Sequence, residues 1–288
     1  MRLTARVPAT SANLGSGFDS LALALDLCNE VSIDTDRSAR VMWEGEGADS
    51  LPGDGSDMVS AAFRSVFAST NEEAPPVSVH GINRIPIARG LGSSAAAVVA
   101  GVALAFAALG RDQDPRRMAP FTDGFESHHD NVAAALHGGL GIAYPVDGGW
   151  RAERLEPHPT LRPVLLVPEV QLSTSLAREA LPSHVDLIDA AFNIGRAALA
   201  VHALTRDPGF LPVALEDRIH QRVRLDLVPE VREVFERLRA GGVPVCVSGA
   251  GPSLLAFESD DRPVPEPGGD WRVMRVKVRA CGVEVDPG

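Results

Sequence analysis

The chain has 288 residues, 45% hydrophobic and 23% charged, which suits one large domain or two small ones sharing a cleft. Its formal net charge of -11 disfavours a nucleic-acid binder, which needs a basic footprint. The single lysine, Lys277, excludes a Walker A loop and a protein-kinase fold, both of which need a lysine well upstream.

Three scattered cysteines, Cys28, Cys246 and Cys281, stand in no metal-ligand spacing and fit reduced thiols in a cytoplasmic protein. The start, MRLTARVPAT, lacks the apolar core of a signal peptide. The apolar stretch Ala95–Leu109 is shorter than the roughly 18 residues of a membrane span and reads as a buried helix. No membrane association is expected.

In chain order, LTARVPA reads as a strand stopping at Pro8, and SANLGSGFDS is turn chemistry. LALALDL and EVSIDT read as two strands, and Gly45–Ser56 as a loop. DMVSAAFRSVFAST has helical spacing with Asp57 as N-cap. PVSVHGINRIPI returns to strand, followed by a glycine loop and a helix over Ser93–Leu109. ESHHDNVAAALHGGLGIAYPV reads as helix, glycine turn and strand, and RPVLLVPE as strand. STSLAREALP is a short helix ended by Pro182. VDLIDAAFNIGRAALAVHALTR, FLPVALEDRIHQRV and PEVREVFERLRAGG are three more helices, the last with Pro229 near its start. VPVCVSGAGPSLLAFE is strand, glycine turn and strand, and WRVMRVKV a late strand. The order implies an α+β fold with a boundary near residue 150, giving domains 1–150 and 151–288.

The loop PIARGLGSSAAA carries the chemistry. A helix N-terminus leaves unpaired N–H groups and a partial positive charge of roughly half a unit. Glycines ahead of it let a polyphosphate approach the backbone. Gly90 and Gly92 form the turn, and the hydroxyls of Ser93 and Ser94 open the helix. Gly90-x-Gly92-x-x-Ala95 also matches a loose dinucleotide fingerprint, but Pro86 sits where a central parallel strand would run. Taken by itself, the loop reads first as a tight turn packing a helix on a sheet, with Ser93 as its N-cap; the sequence around it changes that.

Three stretches in order, Pro8–Leu25, Pro86–Gly101 and Val247–Phe257, resemble the three motifs of the GHMP small-molecule kinases. Glu126–Leu140 resembles the homoserine kinase version of a further segment, as do STSLAREALP and EDRIHQRVRLDLVPE. The likeness runs from Arg2 to about Phe257. It implies a two-domain GHMP kinase fold, with a ribosomal-protein-S5-like N-terminal domain and a ferredoxin-like C-terminal one. It also implies phosphorylation of the side-chain hydroxyl of L-homoserine by ATP with Mg²⁺, on the route to threonine.

The resemblance assigns Pro86, Ile87, Ala88, Arg89, Gly90, Leu91, Gly92, Ser93, Ser94, Ala95 and Ala96 to ATP, and Ser94 with Glu126 to the metal. Mg²⁺ takes one or two protein oxygens plus phosphate and water. Asn13, Asp19, His128, Asn131 and Thr174 fall on the amino-acid side, and Arg178 with Arg224 forms a carboxylate clamp. Asn131, Glu126 and Arg178 are the catalytic candidates. Asn131 stands where several relatives use an aspartate base, and an amide cannot take that role. Catalysis is therefore expected to rest on positioning and charge, with neighbouring Asp130 the one group able to overturn that.

The chain departs from the family at Ser16, Ser127 and His129, where prolines and a glycine are usual. After Phe257 the family continues into a helix, which the prolines of ESDDRPVPEPGGD forbid. An abridged C-terminal domain is expected, with a sheet face for another element or a homodimer partner to cover. Three other readings stand beside the leading one: a GHMP kinase for another small alcohol, a non-catalytic ligand sensor of the same fold, and a nicotinamide enzyme.

Overall fold

The computed structural model describes residues 1–37 and 39–287. Two sheets organise it. The first holds seven strands: β1 (Arg2–Ala12), β2 (Leu21–Asp34), β3 (Val41–Gly45), β4 (Ser78–Asn83), β5 (Leu140–Val146), β6 (Gly149–Leu155) and β11 (Glu284–Pro287). The second holds β7 (Pro163–Pro168), β8 (Val245–Val247), β9 (Leu254–Phe257) and β10 (Trp271–Arg275). The helices are α1 (Met58–Ser69), α2 (Ser93–Ala108), α3 (Pro115–Met118), α4 (His129–His137), α5 (Thr174–Glu179), α6 (Leu187–Thr205), α7 (Leu211–Ala214), α8 (Gln221–Asp226) and α9 (Pro229–Ala240).

The first sheet runs β11-β1-β2-β4-β3, with β5 also on β2 and β6 on β5. Every pair in it is antiparallel except β3 with β4. This topology removes the dinucleotide reading, because the glycine loop does not sit at a crossover of a parallel sheet. The two strands expected over LALALDL and EVSIDT are one 14-residue strand, β2. One end of β2 pairs with β5 and the other with β4, so a single strand carries both halves of the sheet. Nor does β1 stop at Pro8. It continues through a register shift between Pro8 and Ala9, which absorbs the missing proline N–H.

Helix α2 is buried nearly all round because α1, α4 and β1 enclose it. α1 begins where expected: Asp57 accepts hydrogen bonds from the Ser60 N–H at 2.9 Å and the Ser60 hydroxyl at 2.7 Å. α6 has the length and apolar composition of a membrane span. Its second half nevertheless packs Ala200, Ala203 and Leu204 into the core, and its polar side pairs Arg196 with Glu216 and Asn193 with Asp217. The single helix expected over FLPVALEDRIHQRV is broken in two. The cause is Asp217, whose carboxylate accepts the N–H groups of Ile219, His220 and Gln221 and ends one helix to start the next.

The second sheet runs β10-β7-β9-β8, all antiparallel, the strand order of a ferredoxin-like unit. Among the described residues no helix follows β9, as the prolines require, and both faces of the sheet are packed. α9 and Leu225 cover one face with Val231, Val234, Phe235 and Leu238. Val264, 2% exposed, reaches into the same cluster from the proline-rich loop and fills the missing helix's place. The other face packs on α6 and α7. The face expected to need another element is thus covered from within the chain.

The chain does not divide cleanly at residue 150, which lies inside β6. β6 pairs with β5 from Gly149 to Leu155, and the second sheet starts at Pro163. After β10 the chain returns to the first sheet: β11 pairs with β1, and Val283 N–H donates to the Ala135 carbonyl at the end of α4.

Val264→Ala is expected to cost about 2 kcal/mol in denaturant unfolding. Val213→Ala, at a side 43% exposed, should change stability little. Equal effects at the two sites would show that the loop is not part of the core.

Candidate functional site

A cavity of about 500 Å³ lies between the two sheets. Three glycine turns meet there. Ser248, fully buried, donates to the Gly90 carbonyl at 2.8 Å and lies 2.8 Å from the Ser11 hydroxyl. Gly249 N–H donates to the Ala12 carbonyl, Thr10 N–H to Leu91, and Ser253 N–H to Arg89. These contacts explain the two glycines of the loop. Gly90 has φ +71°, and a Cβ there would stand 2.1 Å from the Ser248 carbonyl oxygen. Gly92 has φ +67°, and its Cβ would strike Thr10 Oγ1 at 1.9 Å. No side chain can enter either position without moving another turn.

The loop Pro86–Gly92 lines the cavity, with Ser93, Ser94 and Ala96 following on α2. Gly92 caps α2 without any side-chain bond, so among the described residues no side chain caps the first N–H groups beside the cavity. Ala95 is different: it is 1% exposed, absent from the lining, and packed in the core. The Arg89 guanidinium turns from the cavity to the carbonyls of Pro168, Glu169 and Ile87, bracing the loop against the second sheet. Beyond the loop the lining becomes apolar, with Val31, Trp43, Leu51, Pro52, Met58 and Ile87, suited to a flat base.

At the start of α2, Ser94 Oγ donates to Glu126 Oε2 at 2.7 Å. His128 holds the other oxygen, with Nδ1 at 2.5 Å and its backbone N–H at 3.1 Å. Burial pushes the Glu126 pKa up, but the bonds from His128 and Ser94 outweigh it and leave it below the ordinary value. The bond to Glu126 raises the pKa of His128 against its own burial. Among the described residues no three acidic, His or Cys groups converge as a metal cage. The hydroxyl and carboxylate together offer a two-oxygen set of the kind Mg²⁺ shares with phosphates and water.

The far end of the cavity is built on the first glycine turn. Asn13 and Asp19 hold left-handed backbone, at φ 69° and 53°. Asn13 stabilises both: its Oδ1 accepts the Asp19 N–H at 2.9 Å and its Nδ2 donates to the Gly249 carbonyl at 2.8 Å. Asp19 pairs with Arg178 Nη1 at 2.7 Å, reaching across from α5. Arg224 is 5% exposed on α8, lines the cavity, and donates to the same Gly249 carbonyl at 2.8 Å. Burial lowers its pKa to about 10, with Asp19 opposing the shift. Thr174 lines the cavity at the first turn of α5. The sequence-based site is thus brought together, except for Ala95 in the core and Arg178, which is absent from the lining and reaches the site through Asp19.

Asn131 is fixed as well, its Oδ1 accepting the Thr10 hydroxyl at 2.7 Å. Next to it, Asp130 is 3% exposed. Burial pushes its carboxyl up to about 6; the Asn131 N–H pulls it back and the Asp19 charge adds to the rise. Sequence reasoning missed four contributors: Thr10 and Ser248, which hold the loop, and Phe18 and His220, which hold the arginines. Thr10, Phe18 and Ser248 lie inside the quoted motifs, but only the contact pattern gives them a task. His220 gave no signal apart from its place in EDRIHQRV.

The raised Asp130 pKa has a thermodynamic sign. Unfolded, the group titrates near 3.8; folded, near 6. Stability is greatest below the unfolded value and falls as pH rises through the folded one. Asp130→Asn should therefore stabilise the fold at pH 8 by up to about 3 kcal/mol, with the gain shrinking toward pH 4. Thermal unfolding at the two pH values measures this, and a pH-independent difference would refute it.

The chain matches the N-terminal domain model of the GHMP kinases over residues 57–139 and the C-terminal model over residues 186–265. It is 41% identical to a homoserine kinase of Streptomyces avermitilis, covering 98% of this chain and 95% of that protein. A homoserine kinase of Moorella thermoacetica is 39% identical over 98% of this chain and 96% of its own. The crystal structure of a homoserine kinase from Cytophaga hutchinsonii superposes with a TM-score of 0.87 at 25% identity, covering 99% of this chain and 97% of that one. Three glycine turns knitted around one cavity, and relatives matched over nearly their full length, lead to one assignment: the chain belongs to the GHMP kinase family, in its homoserine kinase branch.

Proposed function

We propose that this protein transfers the γ-phosphoryl group of ATP to the side-chain hydroxyl of L-homoserine, giving O-phospho-L-homoserine and ADP in the cytoplasm. The observation that carries the reading is the juxtaposition of an acid, Asp19, and two arginines, Arg178 and Arg224, at one end of a cavity whose other end is a phosphate-type loop. A zwitterion with a hydroxyl needs both charges and a phosphate donor beside them. A sugar needs neither charge, mevalonate has a carboxylate but no ammonium for Asp19 to meet, and a sensor needs no Ser94–Glu126 pair.

Each group has a task. The N–H groups of the loop and of the α2 start take the phosphates. Ser94 and Glu126 would hold Mg²⁺, which neutralises charge on the transferring group when bound. Asp19 and Asn13 serve the ammonium side, Arg178 and Arg224 the carboxylate. His128, Asn131 and Thr174 line the path between. The new bond joins the homoserine hydroxyl oxygen to the γ-phosphorus, and the bond from that phosphorus to ADP breaks. Asn131 cannot take the hydroxyl proton, because an amide is no base and its oxygen already accepts from Thr10. The proton goes to a phosphate oxygen, and alignment with charge neutralisation supplies the rate.

ADP release with Mg-ATP is expected with L-homoserine and not with D-homoserine, L-threonine, mevalonate or galactose. Turnover on another member of the panel would discard the zwitterion site; ATP binding without turnover would favour the sensor. Asp130→Asn should keep kcat within about fivefold, as removal of a group outside proton transfer would. Loss of turnover with substrate affinity and fold intact would make Asp130 the base.

A further inference from the structure

We propose that His220 is the positioning residue of the carboxylate clamp: its imidazole occupies one nitrogen of Arg224 and so turns the other edge of that guanidinium to the substrate. The inference rests on the homoserine reading and adds to it a residue outside the cavity.

His220 is fully buried at the break between α7 and α8. Nε2 lies 2.7 Å from the Gly15 carbonyl oxygen. A carbonyl only accepts, so Nε2 carries the proton. Nδ1 is then a lone pair, and it accepts from Arg224 Nη1 at 3.0 Å. The second Nη1 hydrogen goes to Gly249. Among the described residues, Nη1 makes both hydrogen bonds of this guanidinium, and the buried Nε has no partner. Nε and Nη2 form one edge of the planar fork, the shape that takes a carboxylate through two parallel bonds. An unpaired buried donor calls for a partner, and beside this cavity a bound carboxylate supplies one.

The packing fixes the ring as firmly as the hydrogen bonds do. Phe18 stacks on His220 with centroids 5.1 Å apart and planes at 25°. The Arg178 and Arg224 guanidinium carbons both stand 5.4 Å from the same Phe18 ring. Gly15 and Phe18 belong to the turn that carries Asn13 and Asp19, so His220 ties Arg224 to the turn that presents the opposite charge. The imidazole has to stay neutral, because a second cation could not accept from Arg224. Burial, which pulls its pKa down to about 4, agrees with this.

The alternative is a histidine that only fills the core. Steady-state kinetics on the full chain separates the two, using His220→Gln, His220→Asn, Arg224→Gln and the double variant His220→Gln/Arg224→Gln. The substrates are L-homoserine and 3-aminopropan-1-ol, the same amino alcohol without a carboxylate, the latter also measured as a competitive inhibitor. His220→Gln should raise KM for L-homoserine about tenfold, the loss of one bond to a charged group. KM for ATP and the Ki of 3-aminopropan-1-ol should stay within about twofold, as groups outside this bond would leave them. His220→Asn, whose amide oxygen can replace Nδ1, should recover most of the loss, and the double variant should be no worse than Arg224→Gln alone. Equal weakening of both ligands, or full additivity in the double variant, would overturn the proposal. A wild-type protein inactive on L-homoserine would instead defeat the substrate reading. Independently of any variant, ¹⁵N NMR of the wild-type imidazole should show Nε2 protonated and Nδ1 free at neutral pH; the reverse tautomer overturns the inference.

Discussion

One hydrogen bond, from the buried Ser248 hydroxyl to the Gly90 carbonyl, joins the second sheet to the glycine loop that lines the cavity. Around it the three glycine turns touch backbone to backbone, with Gly249 meeting Ala12, Ser253 meeting Arg89 and Leu91 meeting Thr10. Such contacts tolerate no side chain and little displacement, since the interior is close-packed. The Gly249 carbonyl extends this frame to the far end of the cavity, where Asn13 and Arg224 both donate to it.

Charge is distributed along the cavity in a way that each end could not sustain alone. Burying an unpaired ion costs several kcal/mol, so each buried charge here has a partner or a hydrogen bond. Glu126 is held ionised by Ser94 and His128. Arg224 has only carbonyl and imidazole partners of its own and balances against Asp19 through space. Asp130 is the least compensated: burial raises its pKa, the Asn131 N–H only partly offsets this, and the Asp19 charge adds to the rise. Among the described residues the arrangement leaves Arg224 Nε without a partner and the start of α2 without a side-chain cap.

The C-terminal half shows how a missing element is replaced. The prolines after Phe257 prevent a helix, but they carry Val264 to the sheet face that the helix would have covered. The chain then uses its last residues to extend the first sheet with β11 and to hold the end of α4 through Val283. α4 begins at His129 and carries Asp130 and Asn131, so the tail supports the helix that lines the site.

The sequence by itself determined the elements whose cause is local. The Asp57 cap, the Pro229 start, the Pro182 stop and the glycine turns act over a few residues, and the motif order pointed to most of the residues that line the cavity. Only the tertiary structure decided what depends on contacts far apart in the chain. Two strand patterns become one β2 because β4 and β5 pair with different ends of it. The helix expected through EDRIHQRV breaks because Asp217 outcompetes the helical carbonyls for three N–H groups. Ala95 faces the core because the burial of α2 on all sides turns it there, and His220 gains its task from Gly15, some 205 residues away. Local chemistry is written in adjacent residues; the partners of a buried polar group are set by packing, and no spacing in the chain records them.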